Sequence, residues 1–361
     1  MRSAALTLFT LACMTHLARS EPTVTICATG DVTFGGWFEP WLDAQVARRR
    51  LDAASVISYG FDRVRTILTK ADVTLANFEG TFAQKGRRGS GTFAFKARPE
   101  LADILVDGGI DVVALGNNHT MDFGAAGLVE TLDALDAAHI GRSGAGHDVA
   151  EARAPWRVTK NGLTLGFLSY KVTGLHSVAQ KPSGVVFHAT GPTVAWCHFD
   201  WPCIRDLVQA DVAALAQQVD VVVVSFHWGQ ERHYDPDAYQ VALGHLAVDA
   251  GAKVVIGTHP HVLQGVELYN NAVIYYSLGN FLFGGNTDPF DPVGGIAQVT
   301  VDRNGVVDAA LVPVLTTSLE APFQPRVLTG YDAELVLLDV AARSRTFART
   351  LPSLTTHTSA P

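Results

Sequence analysis

The chain has 361 residues, of which 48% are hydrophobic, and carries 35 acidic against 27 basic side chains, a net charge of −8. That is enough for one large packed domain, and beyond the first twenty positions no apolar run is long enough to cross a bilayer. The basic clusters, Arg48-Arg49-Arg50 and Lys85-Gly86-Arg87-Arg88, do not make a basic face, so no nucleic-acid partner is expected.

Residues 1–20 read as a signal peptide, with Arg2, an apolar stretch over residues 4–17, and Ala18-Arg19-Ser20 ahead of Glu21. The expectation is export to the periplasm or beyond, with a lipid anchor at Cys13 as the lesser alternative. Losing Arg2 and Arg19 leaves 25 basic against 35 acidic residues, a net of −10. In an oxidising compartment Cys197 and Cys203 are well placed to bridge across a short loop, whereas Cys27, inside the first predicted strand, reads as a buried thiol.

Five strand-like apolar runs break into small, polar sequence, at residues 25–31, 73–80, 112–119, 221–229 and 254–261. Between them the pattern predicts a loop over residues 37–41, helices near 61–70, from Pro99 to Gly108, from Phe123 to about Ala138, from Ile204, and over 236–249, and a further strand at 163–170. Residues 173–202, rich in Gly, Pro, His and Trp, read as an insertion bordering the site. After His261 short strands at 266–269, 272–277, 296–301 and 306–314, with turns at Asn270-Asn271 and Asn304-Gly305, predict a second, mostly antiparallel sheet. Parallel βα units passing into a meander imply an α/β fold, a layered sandwich over residues 21–350, followed by a disordered tail at 351–361.

Ligand sites in such folds gather beyond the carboxyl ends of strands, so the five endings predict one crevice lined by Asp31, Glu79, Asn118, His119, His227, His259 and His261. At any single position a capping or loop role is equally plausible, but repetition over five strand ends favours a site. His259 and His261 stand two apart after a β-branched run, and alternate residues of an extended segment point the same way, so both imidazoles can meet one ion or anion. Asp122 can accept from one nitrogen of His119 and leave the other facing substrate as an acid-base group. At the rim, Glu231 and Asn280 are candidate substrate contacts, and the loop carrying Lys85, Arg87 and Arg88 could reach over the crevice to carboxylates or phosphates.

The blocks Gly30-Asp31-Val32-Thr33-Phe34-Gly35, Ala76-Asn77-Phe78-Glu79, Gly116-Asn117-Asn118-His119-Thr120-Met121-Asp122, His227-Trp228-Gly229-Gln230-Glu231, His259-Pro260-His261-Val262-Leu263-Gln264 and Tyr276-Ser277-Leu278-Gly279-Asn280-Phe281 come in order along nearly the whole mature chain. Together they resemble the capsule-synthesis CapA family, also called the poly-γ-glutamate synthesis family, which looks like a branch of the calcineurin-like metallophosphoesterases. The resemblance implies the layered α/β-β/α sandwich of that superfamily. It matches Asp31 to the first aspartate of the parent pattern, Asn118 and His119 to its Asn-His pair, His227 to its lone strand-end histidine, and His259 with His261 to its final pair.

Two ligands depart from the parent: Thr33 stands where a histidine is expected, and the nearest acid to the bridging aspartate is Glu79. A two-metal hydrolase needs both ions held, so these changes disfavour that mechanism while leaving one divalent ion, manganese, zinc or iron, compatible with the mixed N and O donors. The resemblance implies an exported component of capsule or poly-γ-glutamate production that handles the anionic polymer, with membrane-bound polymer synthase subunits as partners. Two other readings remain open. One is an independent metal-dependent hydrolase of phosphoesters or amides. The other is a metal-free acid-base enzyme of epimerase type, using Asp31 with His259 or His261.

Overall fold

Two mixed β-sheets lie face to face, each with helices on its outer side, in a computed structural model that describes residues 21–172, 190–196 and 201–355. The first sheet runs in the order Arg326–Val327, Gly305–Leu315, Val293–Asp302, Val24–Thr33, Val73–Phe78, Val112–Ala114 and Gly141–Ser143, with Asn280–Phe283 also paired to Val24–Thr33. The second runs Val266–Tyr269, Ala272–Tyr275, Ala252–Thr258, Val221–His227, Leu163–Lys171 and Trp156–Lys160. In each sheet a block of parallel strands forms the centre.

The pleat explains the apolar runs. Val24, Ile26 and Ala28 share the buried layer between the sheets with Leu165, Val223 and Ile256. Cys27, between them in sequence, joins the cluster under the helices Ala102–Asp107 and Gly124–Ala137. Strands buried on both faces cannot alternate with polar residues. On the helices the spacing is different: Leu128, Leu132 and Leu135 form one buried stripe, and Val208, Val212 and Leu215 of Trp201–Ala216 another. Each such side chain stabilises the fold by roughly 1.5–3 kcal/mol. The layers are therefore helix, sheet, sheet, helix, the expected α/β sandwich.

Three expectations need correction. The late strands do not build a separate antiparallel sheet. Val293–Asp302 and Gly305–Leu315 extend the first sheet through antiparallel pairing to Val24–Thr33, while Ala272–Tyr275 joins the second in parallel with Ala252–Thr258. Local turn signals predict hairpins but not which sheet receives them. Residues 37–41 are not a loop: Phe38–Ala47 is a helix whose Phe38 and Leu42 are buried, one turn apart. Of the expected tail, Pro352–Thr355 forms a short helix with Leu354 buried, and residues 356–361 lie outside the described residues.

The expected signal peptide, most of the 173–202 insertion and Cys197 lie outside the described residues, and with Cys197 the bridge expected to Cys203. Cys27 is a buried free thiol, pushed up to about 11 by burial. Among the described residues no helix is long and apolar enough to cross a membrane.

Two glycines let the sheets close on one another at the carboxyl ends of the parallel strands. A Cβ on Gly30 would lie 1.9 Å from the Gly279 carbonyl oxygen, and one on Gly257 would lie 2.0 Å from that of Tyr276. Without side chains there, Asp31 N–H donates to Gly279 O at 2.9 Å, and the 276–280 turn sits between the two strand ends. The ladder slips at the same place, with a register shift between Thr29 and Asp31 that re-aims the aspartate.

Candidate metal centre

The first sheet delivers Asp31, Glu79 and Asn118 to this edge, and the second delivers His227, His259 and His261. Asp31 is fully buried. Its Oδ1 accepts from Asn77 Nδ2 at 2.8 Å, and its Oδ2 lies 3.1 Å from His261 Nδ1 and accepts from the His259 backbone N–H at 3.3 Å. His227 Nδ1 is 3.1 Å from Thr258 Oγ1, while its Nε2 faces Asn118 Oδ1 at 2.6 Å and His259 Nδ1 at 3.1 Å.

Glu79 occupies the middle. It is fully buried, yet neither carboxylate oxygen has a hydrogen-bond partner. Around Oε1 stand Nε2 of His227 at 3.6 Å, of His119 at 3.8 Å and of His261 at 4.0 Å. These separations are too long for hydrogen bonds. They approach the spacing of atoms sharing one ion, since ligands each about 2.1 Å from a metal lie roughly 3–3.5 Å apart.

Two donor groups, each with its atoms within 4.8 Å of one another, meet at this carboxylate: Glu79 with His227 and His259, and Asp31 with Glu79 and His261. Asn118 Oδ1 completes the first to four donors. The second keeps three, because Thr33 presents no imidazole and its Oγ1 accepts from Gly35 N–H at 3.3 Å. The residues fit a divalent ion at the first group, and an orphaned buried carboxylate is the feature such an ion would resolve.

The electrostatics point the same way. Burial, reinforced by His259 and His261, holds His227 well below the usual imidazole range, so it is a neutral, ligand-ready ring. Burial and the neighbouring Asp31 push Glu79 well above the ordinary carboxylate range. Burial also works to depress His261, but Glu79 and Asp31 outweigh it and raise the group to about 10.

The histidine pair converges for a different reason from strand alternation. The strand ends at Thr258, and His259 and His261 both adopt left-handed backbone, with φ of 94° and 55°. Such conformations cost of order 1–3 kcal/mol each outside glycine and persist where surrounding structure imposes them. His119 is set by Asp122, whose Oδ2 is 2.7 Å from Nδ1 and also accepts from Phe95 N–H at 2.7 Å. Asn280 Oδ1 lies 2.9 Å from His261 Nδ1. Glu231 groups with His259 and His261 and lines the adjoining cavity.

The structure does not bring the basic loop into the cavity. Lys85 Nζ is 3.6 Å from Glu130, and Gln84 and Lys85 N–H groups donate to the same carboxylate. Arg88 donates to the carbonyls of Gly91 and Thr92, and Arg87 is exposed on the same loop. The loop instead carries Phe93 and Phe95 to the cavity wall. Sequence reasoning gave no role to Asn77, which bonds Asp31 and lies 3.4 Å from His227 Nδ1, or to Asn117, which bonds Asn77 and the Phe78 carbonyl. The signal available was position: both sit one or two residues before a named ligand.

Residues 25–285 match the family described as bacterial capsule synthesis protein PGA_cap. The chain is 29% identical over 300 residues to the PGA biosynthesis protein CapA of Bacillus subtilis, covering 82% of this chain and 72% of that one. It is 30% identical over 264 residues to the capsule biosynthesis protein CapA of Bacillus anthracis, covering 71% and 61%. A probable polyglutamine synthesis accessory protein of Mycobacterium tuberculosis is 33% identical over 239 residues, covering 63% and 58%, so the chain spans less than two thirds of the latter two relatives. A hypothetical protein from Thermus thermophilus superposes with a TM-score of 0.46 at 16% identity, over 80% of this chain and 98% of that one. With its family matched across most of its length and its donors gathered at one strand-end edge, the chain belongs to the bacterial capsule synthesis protein PGA_cap family.

Proposed function

We propose that this chain is an exported accessory protein of capsular poly-γ-glutamate production, working beside membrane-bound synthase subunits, and that its strand-end centre is a metal-dependent hydrolytic site for γ-glutamyl bonds. The polymer is suggested by the names of the relatives. The observation that carries the hydrolytic reading is Glu79, fully buried, unbonded and ringed by imidazole nitrogens at 3.6–4.0 Å. Glu79, Asn118, His227 and His259 would hold the ion, with Asp31 and His261 beside it. A divalent ion there supplies Lewis-acid polarisation of the scissile carbonyl.

The chain's own residues do the rest. Hydrolysis adds water across the amide, and the departing nitrogen needs a proton. His119 is built to deliver it: Asp122 fixes Nδ1 and leaves Nε2 facing the centre, 3.8 Å from Glu79 Oε1. Phe95, with its ring centroid 4.4 Å from that of His119, restrains the imidazole and keeps water from one face.

Elemental analysis of the purified protein and of a folded His259→Ala/His261→Ala variant, with polymer length followed by size-exclusion chromatography, tests the reading. Stoichiometric metal absent from the variant, and polymer shortened only by the metal-loaded protein, are expected. Metal-free protein that fails to take up manganese, zinc or iron would overturn it. The 3.1 Å Asp31–His261 contact would then favour the second reading, acid-base chemistry without metal.

A further inference from the structure

Beside the centre lies a cavity of about 170 Å³. His119 and His261 form part of its floor, and Phe95 and Phe283, edge to face at 5.6 Å, form a wall. Phe93 and Phe290 also line it and are 64% and 59% exposed, an unusual amount of apolar surface for a water-facing rim. A space this size takes one amino-acid-sized group and not a length of polymer.

Its charges are mixed. Arg232, Glu231 and Asp288 all line it; Glu231 stands with His259 and His261, within 4.8 Å of their ring nitrogens, whereas among the described residues neither Arg232 nor Asp288 has an ion-pair partner. Arg232 is also held in place. Its backbone is left-handed, with φ of 64°, and its N–H donates to the Pro260 carbonyl at 2.8 Å, between the two histidines. Its guanidinium carbon stands 5.4 Å from the Phe290 ring centroid, which leaves the donor edge for a ligand.

A ligand matching this cavity carries both signs of charge on a short body. An interior residue of a γ-linked glutamyl polymer offers only a carboxylate, which Glu231 and Asp288 would repel. The first residue of such a chain offers an α-ammonium and an α-carboxylate on one carbon, as does a free amino acid.

We propose that this cavity is a subsite for a zwitterionic α-amino-acid head, with the carboxylate on Arg232 and the ammonium on Asp288 and Glu231, so that the protein takes γ-glutamyl chains by their amino end. This rests on the reading that the protein handles γ-glutamyl polymer. The aromatic wall then packs the methylenes, and the first γ-amide is directed toward His119.

The test is calorimetric binding in chelator, which separates recognition from turnover, using γ-linked triglutamate, its N-acetylated form, free glutamate and long polymer. Acetylation is expected to weaken triglutamate binding by about ten-fold or more, and Arg232→Met to do the same, both through loss of a charge-assisted contact. Arg232→Lys should recover part of the loss. In Asp288→Asn the penalty for acetylation should shrink to about three-fold or less. Arg232 and Asp288 are both exposed, so these variants keep the core intact.

Free glutamate binding as tightly as triglutamate would support the subsite and assign it to a free amino acid. Equal binding of free and acetylated triglutamate, or an Arg232→Met variant with unchanged affinity, would overturn the subsite while leaving polymer handling standing. Failure of every ligand, long polymer included, would overturn both.

Discussion

Replacing Glu79 with glutamine should make the metal-free protein more stable and the metal-loaded protein less so. In chelator, the wild-type carboxyl is buried with no hydrogen-bond partner and faces Asp31, and a buried polar group left unsatisfied costs about 1–3 kcal/mol, more when charged. Because its folded-state value is raised, the contribution of the uncharged acid is fully present below about pH 4.3, the unfolded value, and is lost as pH rises toward the folded one, at up to ~1.4 kcal/mol per pH unit. His261, raised to about 10, adds loss in the same direction above its unfolded value. Glutamine removes the first slope and weakens the second.

At pH 8 in chelator the variant should therefore gain roughly 1–2 kcal/mol after its own amide is imperfectly paired, or about 2–6 °C in Tm, with a smaller gain at pH 5. Adding manganese or zinc at a hundred times Kd should stabilise wild type by ~2.7 kcal/mol and the variant by far less, inverting the order. Thermal and urea unfolding at both pH values, with and without metal, provide the measurement. A variant less stable than wild type in chelator at pH 8, or one that responds equally to metal, would refute the reasoning.

Metal affinity itself should rise with pH, because an ion must displace the proton from Glu79 and its charge would disfavour the protonated His261 beside it; calorimetry in buffers of different ionisation enthalpy should show proton release, and its absence would place the ion elsewhere. His119→Asn should lower turnover of a γ-glutamyl substrate by about 10²–10⁴-fold while leaving metal content unchanged, with Asp122→Asn affecting kcat less than His119→Asn. Gly30→Ala should cost at least about 1–3 kcal/mol and reduce metal uptake, since its Cβ would collide with the Gly279 carbonyl and shift Asp31. Cys27 should resist iodoacetamide in the native protein at pH 8 and react only on unfolding, as read by mass spectrometry.

Much of the centre was legible because each ligand follows a run of buried residues, and burial on both faces leaves a strong one-dimensional signature. Val73–Phe78 and Val221–His227 announce themselves that way. What a single sequence does not encode locally is partnership. Nothing near Val293–Asp302 says that it pairs antiparallel with Val24–Thr33, 271 positions away at Cys27 and Gln298, and nothing near Lys85 says that Glu130 will claim it. The helix Phe38–Ala47 hides behind Trp37, Pro40 and Trp41, residues of weak helical preference, and the burial of Phe38 and Leu42 decides the outcome. Strand alternation is not what brings His259 and His261 together: two left-handed residues around Pro260, not the pleat, turn the rings inward.

The donors come three from each sheet, and Asp31 touches the backbone of His259 across 228 positions of chain. Neither sheet owns a complete set, so an ion held there is a rivet through the seam, and the site works as a gauge of how the sheets sit. Sliding one sheet past the other by an ångström would spoil the donor spacing before it exposed any core. The outer helices rest on those sheets, and pressure on either helical face would be felt first at the rivet.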